Sequence, residues 1–309
     1  MSINLNLNQI SYKNNLDSNS LKDLQYKFKL ISKDIDSIKD IENLSLSQEA
    51  FLSNILIGLS DIVTGVFSNA LKSINFLSKL KISELVAYER NNKLRLKFIF
   101  KLQYTDIAMV NIKVVPFRFN YNDLLSYLDK NYRALNIENT YQKISDNFKE
   151  ISTLLINGFY KDFDKSIKNL MISFDKKTTK EILDQVTNNF FLTDIRTIEF
   201  GKLFNSMKEF KNNYQTLMDN ADRYSYIGKV GASMVSIDKS IKKIIDLLDK
   251  NKDIKKKKEL AISLKRFSEV IFDIANYYEA YAILMKIQVR LEHHMVETLS
   301  VLKAFSKNR

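Results

Sequence analysis

Basic residues crowd into one short stretch of the chain, residues 250–258, which reads KNKDIKKKK. A dense run of lysines can bind the phosphates of a polyanion, and such binding weakens steeply as salt is added. The same composition is typical of a solvated link between two helices, and both interpretations stay open. The candidate contact residues are six lysines: Lys250, Lys252, Lys255, Lys256, Lys257 and Lys258.

The two histidines, His293 and His294, are the other residues whose type suggests chemistry. Neighbouring residues on a helix point about 100° apart, so the two rings cannot easily bind one metal ion. His293 and Glu297 are four residues apart and offer at most two ligands. A solvated helix surface is the simpler interpretation, and we expect no metal site.

Enzyme signatures are missing from the sequence. The chain has no cysteine, which excludes disulfides, thiol catalysis and cysteine-bound metals. It contains neither a GxxxxGK[ST] nor a GxGxxG loop for phosphates. With only two histidines, which are adjacent, a serine or threonine triad is not indicated. We therefore expect no enzymatic activity and no cofactor.

The charge balance limits the partners that the chain could bind. A net charge of +12 favours nucleic acid, acidic protein faces or an anionic membrane. However, 36 acidic residues are interspersed with 48 basic ones, a mixture that indicates solvated helix faces and does not favour nucleic acid. Residues 1–20 are polar and lack the apolar core of a signal peptide, so a cytoplasmic site of synthesis and assembly is expected.

The elements that position these residues follow from a shortage of helix breakers, one proline and six glycines in 309 residues. Proline breaks helices and glycine weakens them. The prediction is a mainly α protein, an elongated multi-helix bundle with long helices and a small antiparallel β element near residues 94–119. Its expected parts are a flexible N-terminal arm (1–17), N-terminal helices (18–92), the β element (93–120) and a helical bundle ending in a long C-terminal helix (121–309).

The N-terminal helices are predicted over residues 21–42 and about 47–90. In the first, apolar residues alternate three and four apart, as on an amphipathic helix with a possible coiled-coil seam. Gly58 and Gly65 share a face of the second and should allow close approach of another helix. The apolar stretch Phe51–Phe67 reads as a buried helix, with a membrane-insertion element as the alternative, and falls short of a transmembrane span.

The β element rests on an alternating pattern. Leu94–Leu102 (LRLKFIFKL) places apolar residues at every second position, as a half-buried strand does. A second run, residues 112–119, contains Pro116 and should be an edge strand or a strand end. The connection Gln103–Asn111 has room for a short helical turn, and Asn120 suits the start of the next helix.

The rest of the chain reads as helix. Thr178 and Glu181 have the spacing of a capping pair. The last segment, Glu259 to about Lys307, has neither proline nor glycine and predicts one helix of roughly 70 Å. A helix of that length usually packs against other helices along its course.

Residues 80–128 contain the runs KISELVAYERNNKLRLKFI and VNIKVVPFRFNYNDLLSYL, in which a helix end leads to two β-like runs, a Val-Pro pair and a further helix. This pattern resembles that of uncharacterised virion structural proteins of large tailed bacteriophages. It implies a non-enzymatic particle component with a helical body and a small β insertion. The matching residues, which it implies to be structural, are Ser83, Glu84, Tyr88, Asn92, Val115, Pro116 and Tyr121.

The leading functional hypothesis is a structural or assembly protein that acts through protein–protein contacts of its helical faces. The resemblance places it in a virion assembled in the host cytoplasm, as a homo- or hetero-oligomer without a transmembrane span. Two alternatives remain. One is a membrane-active helical protein similar to α-pore-forming toxins, and the other is a basic nucleic-acid-binding module that uses residues 250–258.

Overall fold

The computed structural model describes residues 20–39, 46–79, 83–114, 120–157, 160–171, 175–185, 196–221 and 230–307. Within these ranges the protein is mainly α-helical, with one small antiparallel sheet of two strands, as predicted. The predicted N-terminal arm (1–17), together with Val115 and Pro116, lies outside the described residues.

The helices follow one another along the chain and are interrupted by two short strands. The helices are α1 (Leu21–Lys39), α2 (Leu46–Lys79), α3 (Glu84–Ile99), α4 (Tyr104–Ile107), α5 (Tyr121–Leu135), α6 (Ile137–Asn157), α7 (Tyr160–Met171), α8 (Lys176–Gln185), α9 (Phe200–Leu203), α10 (Met207–Asn220), α11 (Val230–Asn251) and α12 (Ile254–Lys307). The strands are β1 (Asn111–Val114) and β2 (Arg196–Glu199).

The chain forms two compact units. The first is built from Met1–Ile74, Asn139–Phe174 and Lys229–Tyr278, and the second from Asn75–Glu138, Asp175–Gly228 and Glu279–Arg309. The long helix α12 contributes to both, which explains why its apolar residues continue without a break. The predicted C-terminal helix is confirmed, and it begins a few residues earlier than Glu259.

The core of the first unit is an apolar seam between α2, α6 and the first half of α12. The rings of Phe67, Phe148 and Phe267 meet edge to face, with centroids 5.9 to 6.5 Å apart. Such arrangements place the positive edge of one ring on the negative face of another. Polar contacts join α2 to α11, where Ser53 Oγ donates to Asp249 Oδ1 at 2.8 Å.

Helix α1 packs against the glycine face of α2, which confirms that another helix approaches closely at Gly58 and Gly65. A Cβ atom at Gly58 would lie 2.7 Å from Ile31 Cδ1, and one at Gly65 would lie 2.9 Å from both methyl groups of Leu24. The absence of these side chains therefore lets α1 approach closely.

The stretch Phe51–Phe67 is a core helix within the first unit, as predicted, with fully buried residues such as Leu52, Leu59 and Val66. In the described part of the chain, one helical segment, Glu49–Phe76, has the length and composition of a membrane span. Of its most apolar window, 56% is buried inside the protein. A core helix has the same length and composition, so these two properties alone do not indicate a membrane span.

The predicted helix over residues 47–90 is wrong in its extent. Helix α2 ends at Lys79 and a new helix begins at Glu84, because the Ser83 side chain caps it by accepting a hydrogen bond from the Val86 amide. The predicted cap at Thr178 is also displaced. Asp175 accepts from the Thr178 amide at 3.0 Å and caps α8 instead, and these bonds lower the pKa of Asp175.

The predicted strand at Leu94–Leu102 is wrong, because these residues form the end of α3 and the turn after it. In the same run, Ile99 and Phe100 lie three and four positions after Leu96, which is the spacing of one helical face, and this face packs against the rest of the unit. Leu96 and Ile99 are buried, and the Phe100 ring packs against Tyr214 at 5.1 Å. Packing of a helical face in the second unit therefore overrides the local β preference.

The sheet pairs β1 with a partner that the sequence did not indicate. Strand β1 overlaps the start of the predicted second run, and the rest of that run, residues 115–119, lies outside the described residues. Strand β1 joins β2 in antiparallel register, with Asn111 opposite Glu199 and Val114 opposite Arg196. The predicted helical turn between the two runs is present as α4, and the predicted start of α5 at Asn120 is confirmed. The pairing continues past β2, where the Gly201 amide donates to Ala108 O at 2.9 Å.

Candidate interaction surface

Helix α3 is anchored to α12 at its first turn, within the second unit. Ser83 Oγ accepts from the Val86 amide and donates to Glu292 Oε2 at 2.6 Å. The buried Glu292 carboxylate also accepts from Gln288 Nε2 at 2.9 Å. Since buried polar groups are costly unless they are hydrogen-bonded, this network fixes where α3 begins.

Further contacts follow in the same order along both helices. Glu84 lies 3.2 Å from His293 Nδ1, and Lys303 Nζ donates to Asn92 Oδ1 at 2.6 Å. The two helices therefore run in roughly the same direction here. Asn92 has a non-helical φ of −129° and marks a kink, which redirects the second half of α3.

Four of the residues that match the virion-protein pattern lie in these contacts. Besides Ser83, Glu84 and Asn92, Tyr121 donates to Leu291 O at 3.0 Å and places its ring 5.7 Å from His294. Burial and the nearby Glu292 charge raise the pKa of Tyr121 well above its usual value, so its hydroxyl remains a donor. These side chains fix α3 and α5 on α12, and each of them is either buried or bound to another residue.

Beyond the kink, α3 presents apolar and basic side chains to solvent. Leu94 is 73% exposed and Phe98 is 61% exposed, and they lie one helical turn apart. The charged residues from Arg90, just before the kink, to Lys101, in the turn after α3, are all basic and exposed. We call this set the α3 patch: Arg90, Lys93, Leu94, Arg95, Lys97, Phe98 and Lys101.

The electrostatics of the α3 patch are those of unneutralised cations. Among the described residues, no salt bridge joins any of its five basic side chains to a carboxylate. The sequence contained the signal, since Leu94 and Phe98 are four apart and flanked by lysine and arginine. Interpreting the run as a strand placed Leu94 and Phe98 on its half-buried face and so hid the patch.

The structure divides the six lysines predicted to contact a polyanion. Lys250, Lys252, Lys255 and Lys256 are exposed around the junction of α11 and α12, and Lys258 is half-buried. The junction also holds carboxylates. Asp253 caps α12 by accepting from the Lys256 amide at 3.0 Å, and the Lys256 ammonium lies 3.1 Å from it.

Lys257 is not a surface cation, so its assignment to a polyanion contact is wrong. It is 1% exposed, and its ammonium lies 2.9 Å from Asp249 Oδ1, 3.0 Å from Ser53 Oγ and 3.2 Å from Glu49 Oε1. The sequence carried a signal for this, because Lys257 is in phase with the buried residues Leu260 and Leu264 of the same helix.

The two histidines occupy different environments. His294 is buried, and burial together with the neighbouring His293 lowers its pKa to about 4, so it is neutral at pH 7. His293 is exposed, with Glu84 beside Nδ1 and Glu297 4.0 Å from Nε2. These carboxylates face opposite ring nitrogens. The described ranges hold no cluster of three or more His, Asp or Glu side chains placed to bind a metal ion.

Comparison with known proteins gives no match, whether with protein-family models, with curated proteins or with solved structures.

Proposed function

We propose that this chain is a non-enzymatic structural or assembly protein that acts through protein–protein contact of its helical faces. The observation that carries the proposal is the exposure of Leu94 and Phe98 on a helix whose opposite side is packed in a core. Single exposed apolar residues are common on protein surfaces. Two large ones on adjacent turns of an anchored helix are typical of a contact that excludes water on binding.

The setting proposed for this contact is a bacteriophage particle assembled in the host cytoplasm, where the chain forms a homo- or hetero-oligomer. The resemblance of residues 80–128 to virion structural proteins supports this setting. Ser83, Asn92 and Tyr121 each contact α12, so they have a structural role in holding α3 or α5 on that helix.

Mass spectrometry of intact particles purified from the source of this sequence tests the proposal. We expect the chain at a fixed copy number. A Leu94→Ser/Phe98→Ser double variant should keep its helical circular dichroism, because both side chains are exposed in the free chain. It should be lost from particles, because the proposed contact needs both side chains. Leu247→Ser is the matched control, since Leu247 is 47% exposed on α11 of the first unit. Complete particles that lack the chain would overturn the proposal.

A second candidate, binding of nucleic acid, is favoured by the exposed lysines at the junction of α11 and α12. Lys250, Lys252 and Lys255 are solvated and could approach phosphates together. A salt titration of DNA binding, compared with a Lys250→Glu/Lys252→Glu/Lys255→Glu variant, tests it. Binding that the variant does not weaken would exclude this site.

A further inference from the structure

The charges of the α3 patch indicate the chemistry of its partner, in addition to what the apolar pair Leu94 and Phe98 indicates. Residues 90–101 contain five basic and no acidic residues. Lys97 is three positions after Leu94 and borders the apolar pair on one side of the helix, and Lys101 follows in the turn after α3. Arg95 borders it on the other side. The apolar centre is therefore surrounded by cations.

We infer that the partner at the α3 patch is an acidic protein segment whose apolar side chains cover Leu94 and Phe98 while its carboxylates meet the surrounding cations. The inference rests on the proposed function, namely protein–protein contact. Complementary charge at the border of an interface speeds association and selects against wrong partners. The two arginines, Arg90 and Arg95, can each hold a carboxylate through two parallel hydrogen bonds.

Nucleic acid fits the α3 patch less well. Phosphates would satisfy the cations and a base could stack on Phe98, but sequence-tolerant binding of single strands uses several aromatic platforms. Leu94, the more exposed of the two apolar side chains, has no aromatic ring for a base to stack on. A partner with apolar side chains covers both residues.

An anionic membrane also fits less well. Helices that bind membrane surfaces turn a broad apolar face towards the lipid. In α3 the broad apolar face, with Leu85, Leu96 and Ile99, is buried in the second unit and held there by the contacts of Ser83 and Asn92 with α12. Only the narrow pair Leu94 and Phe98 remains for a partner.

The test measures binding of the full chain to two synthetic 20-residue helical peptides by fluorescence anisotropy. Both carry leucines at helical spacing, and the flanking positions are glutamate in one peptide and glutamine in the other. At about 50 mM salt we expect the acidic peptide to bind at least about 10-fold more tightly. That preference should shrink as salt approaches about 500 mM, because the border charges are exposed and screened. Equal binding of the two peptides would overturn the inference.

Substitutions in the α3 patch test whether the peptides bind there. Arg95→Glu/Lys97→Glu/Lys101→Glu should weaken binding of the acidic peptide at least about 10-fold, since border charges control association. Leu94→Ser/Phe98→Ser should weaken binding of both peptides. The matched control is a charge reversal of three exposed lysines in the first unit: Lys243, Lys250 and Lys255. An equal loss in this control would show non-specific attraction and contradict the assignment.

Two further probes represent the rival partners. Vesicles of phosphatidylcholine and phosphatidylserine (3:1) stand for an anionic membrane, and a 30-nucleotide single strand of DNA stands for nucleic acid. Tighter binding to either probe than to the acidic peptide, weakened by the same α3 variants, would replace the inferred partner with that class. If the chain needs Leu94 and Phe98 to enter particles but shows no preference for the acidic peptide, the proposed function stands and only the inferred partner chemistry fails.

Discussion

Replacing Lys257 by methionine would remove a buried ammonium group while keeping an unbranched side chain of similar length. The ammonium contacts two carboxylates and a hydroxyl, those of Asp249, Glu49 and Ser53. Burial by itself lowers the pKa of Lys257, but its hydrogen bonds to Asp249 and Glu49 outweigh that effect and the net pKa is raised. The charged form is therefore the one that the fold stabilises.

The expected cost follows from these contacts. Removing one partner of a buried ion pair costs about 3–5 kcal/mol of stability, because the other charge is left without compensation. Here the carboxylates are partly hydrated, with the side chain of Glu49 15% exposed and that of Asp249 36% exposed. Water can replace part of the lost interaction, and methionine carries no charge to desolvate. We expect the free energy of unfolding to fall by about 2–3 kcal/mol.

The measurement is urea unfolding followed by circular dichroism at 222 nm, since the chain has no tryptophan for fluorescence. The matched control is Lys255→Met, two residues earlier in the same basic run and exposed. A surface substitution of this kind should change stability by about 0.5 kcal/mol or less. If Lys257→Met unfolds at the same urea concentration as Lys255→Met, the assignment of Lys257 to a buried ion cluster is refuted.

Three further substitutions test other contacts by the same unfolding assay. Ser83→Ala removes the cap of α3 and a donor to the buried Glu292, so it should cost about 1–3 kcal/mol. An effect below about 0.5 kcal/mol, the size expected of a surface substitution, would contradict the anchoring role. Gly65→Leu should cost about 2–3 kcal/mol by displacing Leu24, whereas Ser68→Leu on the exposed side of α2 should be nearly neutral. The pKa of His294 is about 4 in the folded chain and about 6.5 when unfolded, so the unfolded chain binds the proton more tightly. The stability that depends on a neutral His294 is fully present above pH 6.5. As pH falls towards 4, the free energy of unfolding should drop by up to about 3 kcal/mol, and His294→Leu should abolish this pH dependence.

Most of the helical architecture could be predicted because it depends on local and periodic signals. The shortage of proline and glycine sets long helices, and the three-four spacing of apolar residues identifies the buried faces. Gly58 and Gly65 showed where a neighbouring helix could approach, although not that α1 would be the neighbour. The start of α5 followed from Asn120, whose side chain accepts from the Asn122 amide.

The remaining features depend on contacts between residues distant in sequence. Strand β2 is four residues long, RTIE, and has no alternation strong enough to identify it without its partner β1. Lys257 looked like one lysine of a solvated run, and only the positions of Glu49 and Asp249 make it part of a core. The α3 patch was hidden for the same reason, since whether Leu94 and Phe98 are buried depends on the secondary structure of the run.

Residues 93–102 therefore offer a direct test of how far tertiary packing, rather than local sequence, determines secondary structure. Their alternation favours an extended chain, and helices this short are marginal in water. We expect a synthetic peptide of residues 84–102 to show little helix by circular dichroism. In the full chain, Leu94→Glu/Phe98→Glu should leave α3 intact, because Leu96 and Ile99 make its buried contacts. A peptide that is strongly helical on its own would mean that local preference, rather than packing within the second unit, determines the conformation of α3.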